Sequence, residues 1–385
     1  MSQRLNTPRP AARYDTIELS LIRQINQLIR PGTINLGIGE PNLEPDETLQ
    51  EMMTRAAREA SWSYSAIPGA IETRRAISKF LDAGVDAETE LCVTAGSEEA
   101  LYAIMQAWVD RGDEVLIPDP GFVAYPALTT LAGGTAVTYP LMTEDWSIDM
   151  PALKAKITDR TKMIIVNSPS NPTGGVVPED QLVELAALAD DRDILVVSDE
   201  VYREIHFAER PASMLGRGRN VIVCTSLSKS HGLTGLRLGW IVASPAIMDM
   251  TRRAHHYLTT CASTYAQKLA ELVLENEVWN SQWLENGRRQ FTTQRDVALD
   301  AIRELVAPDL EGEPRGAFYA FVPVPTCDTL GLAKRMATED GVLTIPGVAF
   351  GPRGEGFIRI SFASDPEVLR EGITRVGRAL ERLES

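Results

Sequence analysis

From about residue 90 onward the chain repeats one pattern: a short apolar run ending in small or polar residues, then a stretch with helical spacing. The runs at 91–94, 115–117, 163–166, 194–197, 221–224 and 240–243 are strand-sized. Residues 98–109 and 178–189 read as helices; the second opens on a proline and sets Leu182, Leu185 and Leu188 at helical intervals. Strands alternating with helices predict a mostly parallel sheet covered on both faces. Before it, residues 16–29 bring Ile17, Leu21, Ile22, Ile25, Leu28 and Ile29 to one helical face. After residue 245 comes a long helical stretch, then strands near 317–322, 342–345 and 357–362 and a closing helix beyond Pro366. The expected architecture is a large α/β domain over 45–280 and a smaller α+β domain built from both chain ends, 1–44 and 281–385. The 385 residues suffice for two domains.

Composition narrows the function classes. Lys and Arg total 38 against 53 Asp and Glu, a formal charge of −15, which argues against a nucleic-acid partner. The apolar runs are far too short to span a bilayer, so no membrane partner is expected. Cys92, Cys224, Cys261 and Cys327 are scattered without a CxxC pair, which fits a reducing compartment and no structural zinc. Residues 1–14 are polar and lack the apolar stretch of a secretory signal, so a cytoplasmic protein is expected.

In parallel α/β sheets, ligands bind beyond the carboxyl ends of the strands, and the informative residues sit there. Ala95-Gly96-Ser97 joins the run at 91–94 to a helix, offering free N–H groups and a hydroxyl to a phosphate; Ser97 as a plain helix cap is the alternative. Asp199 follows an apolar strand, where an unpaired carboxylate is costly without a cation, a metal or a protonated ring nitrogen. Metal is the weaker choice, since His206 is the only histidine nearby. The strongest stretch is Val221-Ile-Val-Cys-Thr-Ser226-Leu-Ser228-Lys229, continuing to Gly235-Leu-Arg237-Leu-Gly239. A lysine leaving an apolar strand among serines and glycines is set to lose its charge by desolvation and attack a carbonyl. Arg237 and the serines are suited to a phosphate dianion. A surface lysine in a turn is the bland alternative.

That stretch resembles the active-site lysine motif of the class I/II aminotransferases, the fold type I enzymes that use pyridoxal phosphate, in particular the bacterial aspartate aminotransferase subgroup. Further motifs extend the resemblance, in order, over nearly the whole chain. They are Asn35-Leu-Gly-Ile-Gly39-Glu-Pro, Tyr64-Ser-Ala-Ile-Pro-Gly69, Thr94-Ala-Gly-Ser-Glu-Glu-Ala-Leu and Asp119-Pro-Gly-Phe122-Val-Ala-Tyr. Asn167-Ser-Pro-Ser-Asn171-Pro-Thr-Gly174, Ser198-Asp-Glu-Val-Tyr202, Gly316-Ala-Phe-Tyr and Gly356-Phe-Ile-Arg359-Ile-Ser-Phe complete the series. The resemblance implies a seven-stranded, mostly parallel sheet between helices and a ping-pong transfer of an amino group between an L-amino acid and a 2-oxo acid.

The same resemblance assigns the roles. Lys229 is similar to the lysine that holds pyridoxal phosphate as an internal aldimine and shuttles the proton between Cα and C4′. Asp199 resembles the acid that keeps the pyridine nitrogen protonated. Asn171 and Tyr202 resemble the partners of the ring hydroxyl, and Phe122 the ring that stacks on the cofactor. Gly96, Ser97, Ser226, Ser228 and Arg237 answer to the phosphate site, and Tyr64 to a tyrosine reaching the phosphate from a partner subunit, which implies a homodimer. Arg359 resembles the clamp for the substrate α-carboxylate, with Asn171 and the Gly39 N–H beside it.

The chain also departs from the pattern. Glu98 stands where some of these enzymes carry a lysine for the distal carboxylate of aspartate, which puts aspartate specificity in question. Lys229-Ser-His231 replaces the commoner lysine–threonine–aromatic sequence, leaving His231 either in contact with substrate or filling space near the cofactor. His255-His256 is expected on a polar helix face or a dimer interface rather than at a metal. Two other functions fit the motifs: a lyase, cyclase or oxidase on the same cofactor, or a cofactor-binding regulatory domain. The acidic charge opposes the second, which would need a basic DNA-binding part.

Overall fold

The computed structural model describes residues 11–17 and 19–384. Residues 1–10, part of the polar stretch 1–14 and of the expected 1–44 segment, lie outside them, as do Glu18 within the expected helix 16–29 and Ser385 of the expected 281–385 segment. The strands in chain order are β1 Ile34–Asn35, β2 Leu91–Thr94, β3 Glu114–Asp119, β4 Thr135–Pro140, β5 Thr161–Asn167, β6 Leu195–Asp199 and β7 Val221–Ser226. They continue with β8 Gly239–Ala243, β9 Tyr319–Pro323, β10 Val342–Leu343, β11 Ile345–Pro346 and β12 Phe357–Ser361.

The main sheet has seven strands in the order β2-β8-β7-β6-β5-β3-β4. Only β8 runs against its neighbours; the pairs from β7 to β4 are parallel. The strand runs are continuously apolar because both faces are covered. Val115, Ile117, Met163, Ile165, Val197 and Ile222 face a core shared with the helix Ser97–Trp108. The alternate residues Leu116, Ile164, Val166, Val196 and Val223 face the helix Glu179–Arg192, whose Leu182, Leu185 and Ala189 are buried. Pro178 stands just outside that helix as its N-cap. The edge strand β4 escapes the apolar-run criterion: it alternates Thr, Ala, Val and Thr, and only Tyr139 is fully covered.

Three shorter strands form an antiparallel sheet, β11-β12-β9, over a second core. Within β12, Ile358 and Ile360 enter that core, so Arg359 between them projects from the opposite face. The chain ends meet where β1 pairs with β10, Ile34 opposite Val342. The helix expected over 16–29 is shorter than its apolar face: it runs only Leu21–Asn26, capped by Ser20, and buries Ile25. The 29-residue helix Glu277–Leu305 runs across position 280.

Candidate active site

The carboxyl ends of β2, β5, β6 and β7 open on one cavity of about 750 Å³, closed from the other side by the Asn35–Glu40 segment, Tyr319 and Arg359. Chain topology gathers here groups that lie up to 337 positions apart in the chain, from Ile22 to Arg359. Lys229 sits on a single helical turn, Leu227–Ser230, immediately after β7. The turn is started by Ser226, whose hydroxyl accepts the Ser228 N–H at 3.3 Å. The lysine Nζ donates to the Gly39 carbonyl at 2.6 Å. Burial lowers its basicity to about 8 from 10.5, and the nearby Arg359 and Arg237 cations push the same way.

Asp199 closes β6 and is 4% exposed. Burial raises its carboxyl to about 6, opposed by the Tyr125 hydroxyl, which donates to Oδ2 at 2.8 Å, and by the Val201 N–H. Asn167 at the end of β5 donates to the Asp199 carbonyl and accepts the Asn171 N–H, so two strand ends and the turn at Asn171 are locked together. Tyr202 shares a hydrogen bond with the Tyr319 hydroxyl at 3.0 Å. Burial pushes its phenol far above the ordinary value.

Three arginines in this space, Arg23, Arg237 and Arg359, pair with no carboxylate among the described residues, and the last two stand at its inner wall. Arg359, 1% exposed, donates to Asn171 Oδ1 at 2.8 Å and to the Gly37 carbonyl at 2.6 Å, while its Nε has no partner. Tyr319 and Phe350 flank it at 4.4 and 5.0 Å from the ring centres. A buried cation with only neutral acceptors and an orphaned N–H is built to receive an anion. Arg237 is held in left-handed backbone (φ 49), a strain of roughly 1–2 kcal/mol. Its guanidinium lies against Gly96, where a Cβ would come 2.5 Å from Nη2. Gly96 itself has φ 88 and caps the helix Ser97–Trp108, so Ser97 is the first helical residue rather than the cap. By contrast, Arg203, Arg210 and Arg217 around a separate groove of about 530 Å³ are each matched to a glutamate.

The cavity brings together Gly39, Ser97, Phe122, Asn171, Asp199, Tyr202, Ser228, Lys229, Arg237 and Arg359, with Glu98 at its wall. Gly96 and Ser226 stand directly behind Arg237 and the lysine turn. Tyr64 is not among them: it is 86% exposed and lines a different groove. His231 does not line the cavity either; it is 1% exposed and bonded to Ser230 and Asn280. The expected polar face at residue 255 is overturned, because His255 is fully buried against Glu99 and the Ile67 carbonyl. Among the described residues no group of three metal-ligating side chains occurs. Sequence reasoning gave no role to Tyr125, Asn167, Tyr319, or Arg23 and Asn26 of the N-terminal helix. Tyr125, Asn167 and Tyr319 lie inside the motifs given above; Arg23 and Asn26 carry no signal.

A depressed amine, a buried acid that lacks a cation, an arginine at a helix start and a second arginine lacking an anion define a site for exchange between amines and carbonyls on an anionic cofactor. Residues 31–376 match the family described as aminotransferase class I and II. A probable aspartate aminotransferase of Methanocaldococcus jannaschii is 35% identical over 373 residues, covering 94% of this chain and 97% of the relative. The solved aromatic aminotransferase of Pyrococcus horikoshii OT3 superposes with a TM-score of 0.85 at 32% identity, covering 94% of this chain and 99% of that one. The Thermus thermophilus aspartate aminotransferase solved with maleate gives 0.90 at 29% identity over 97% and 100%. The chain therefore belongs to the class I and II aminotransferases. It is a pyridoxal-phosphate-dependent enzyme that moves an amino group between an amino acid and a 2-oxo acid.

The side chains present suit that cofactor. Asp199 is buried without an ion pair among the described residues, the Lys229 cation only partly offsetting its burial, and Arg237 with the Gly96–Ser97 helix start awaits a dianion.

Proposed function

We propose that Lys229, Asp199, Tyr202, Asn171, Arg237 and Arg359 carry the transfer, and that the enzyme runs it in two half-reactions through one covalently held cofactor. The observation that carries this reading is Arg359, buried with an orphaned Nε and no carboxylate partner among the described residues, in the same cavity as the depressed Lys229 amine. Pyridoxal phosphate, when bound, supplies the aldehyde and the electron-accepting ring. Lys229 Nζ engages the aldehyde and later moves the proton taken from the substrate Cα. Asp199 holds positive charge at the ring nitrogen. Arg237, Ser97, Ser226, Ser228 and the Gly96 turn hold the phosphate, and Phe122 supports the ring. Asn171 spends its carbonyl on Arg359, which leaves its amide N–H groups to donate beside the Tyr202 hydroxyl. Arg359 binds the α-carboxylate, with Gly39 alongside, and so fixes which bond at Cα faces the acceptor.

Around the substrate side chain, Ile22, Ile29 and Leu101 stand beside Arg23, Asn26, Glu40 and Glu98, so both signs of charge are offered. The active unit in this reading is a homodimer. Trp62, Tyr64 and Tyr257 are 96, 86 and 87% exposed. They belong to a loop and a helix end tied together by His255 and Thr264. Such a patch is what a second copy covers, with Tyr64 completing its phosphate site. The four cysteines are free, which supports a reducing, cytoplasmic setting. No described helix is long and apolar enough to cross a membrane. The pairing of β1 with β10 supports a smaller domain made from both chain ends.

Borohydride trapping should place the cofactor on the peptide containing Lys229. Single amino acids should convert the bound cofactor to its amine form, and sedimentation should give twice the chain mass. A label on another residue, or no conversion by any common amino acid, sinks the reading.

A further inference from the structure

His231 sits two residues beyond Lys229, fully enclosed. Its Nε2 lies 2.7 Å from Asn280 Oδ1 and its Nδ1 2.8 Å from the Ser230 hydroxyl. An amide oxygen only accepts, so Nε2 carries the hydrogen and Nδ1 accepts from Ser230. Burial pushes the ring below its ordinary value, in keeping with this neutral form. Asn280 stands in the first turn of the helix Glu277–Leu305 and is 6% exposed. The same helix reaches the other side of the lysine. Gln290 donates to the Asn42 carbonyl at 3.0 Å, and Gly287 faces Leu43. Leu43 in turn packs on Gly232, where a Cβ would come within 3.0 Å of it. Three residues before Asn42, Gly39 receives the Lys229 ammonium.

We propose that His231 is a positioning residue for Lys229. Together with Asn280 it fixes the lysine turn to the helix Glu277–Leu305, which also grips the segment carrying Gly39. One element thereby places both the amine and its acceptor. An aromatic at 231 fills the same space but makes neither bond, so this chain anchors its lysine by polar contacts. The proposal rests on Lys229 being the cofactor's amine.

The test uses His231→Phe and Asn280→Leu, singly and together, with amide hydrogen exchange by mass spectrometry on the cofactor-free protein. Residues 227–233 should exchange faster in each single variant. In the loaded enzyme the pH midpoint of the cofactor absorbance should shift, and kcat should fall on the order of tenfold with KM for the amino acid unchanged. The double variant, which removes both polar partners, should regain thermal stability without regaining exchange protection or kcat. Unaltered exchange and an unaltered absorbance midpoint in the single variants overturn the proposal, as does full recovery of kcat in the double variant. Hydrogen exchange needs no cofactor, so it reports on this relay even where borohydride trapping rejects Lys229.

Discussion

Replacing Arg359 by lysine keeps the charge and removes the fork. The guanidinium is fixed in plane by Tyr319 and Phe350 and held by Asn171 and Gly37, leaving Nε free. A carboxylate on it takes two parallel charge-assisted bonds, whereas an ammonium offers a point charge on a flexible stem. Losing one such bond costs about 1.5–3 kcal/mol. At 1.36 kcal/mol per factor of ten, R359K should lose roughly 10- to 150-fold in kcat/KM for the amino acid. The loss must depend on the carboxylate. Stopped-flow absorbance of the first half-reaction, with an amino acid and with the primary amine lacking its carboxylate, separates the two. The preference for the amino acid should shrink by that same factor, while reaction with the amine stays as it was. A folded R359K protein that keeps the wild-type preference refutes the assignment of Arg359.

Three further outcomes follow from single groups. Burial raises Asp199 from 3.8 to about 6, so the folded chain prefers it protonated; the stabilisation present below 3.8 is lost as the pH climbs through 6. Thermal melts of the cofactor-free protein should show this decline over that window, and D199N should flatten it; an identical profile in D199N excludes Asp199 as its source. Gly96→Ala puts a methyl 2.5 Å from Arg237 Nη2 on a φ of 88. It should weaken pyridoxal phosphate binding about tenfold, the worth of one charge-assisted bond, with circular dichroism unchanged; an unaltered Kd by absorbance titration refutes this. Acylation of Lys229 in the cofactor-free protein, followed by peptide mass mapping, should rise with a midpoint near pH 8. Arg359→Met should move that midpoint upward, and a fixed midpoint would show that Arg359 does not couple to the amine.

The parallel sheet was legible because burial on both faces forces uninterrupted apolar runs, and six of its strands announce themselves that way. The seventh, β4, is an edge strand whose outer residues need not be apolar, so no run marks it. Helix 21–26 was overextended for the opposite reason: apolar residues at helical spacing continue past the point where the backbone stops being helical. Lys229, Asp199 and Arg237 stand out because chemistry confines them to strand ends with glycine or serine neighbours. Tyr125 meets Asp199 from the helix Ala124–Ala132, and Asn167 meets both Asp199 and Asn171, contacts that depend on how the elements around β5 and β6 are packed. His255 looked polar beside His256, yet the helix turns it into the core toward Glu99, a partner 156 positions away.

The cavity also inverts the charge balance of the chain around it. In a protein of −15, Lys229, Arg237 and Arg359 are gathered where, among the described residues, no carboxylate pairs with either arginine. Arg359 is, after burial, the largest influence lowering Lys229. Coulomb coupling is mutual, so an anion that neutralises Arg359 raises the basicity of the lysine. Without a bound carboxylate the amine is partly unprotonated near neutral pH, the condition for attacking a carbonyl. With one bound it becomes the stronger base at the stage where the Cα proton must be taken, and departure of the carboxylate resets it. A resident glutamate beside Arg359 would abolish the difference by holding the lysine at one basicity throughout. On the proposed assignment the carboxylate-free arginine serves two purposes: it selects substrates that carry a carboxylate, and it gives one amine the two basicities its two tasks require.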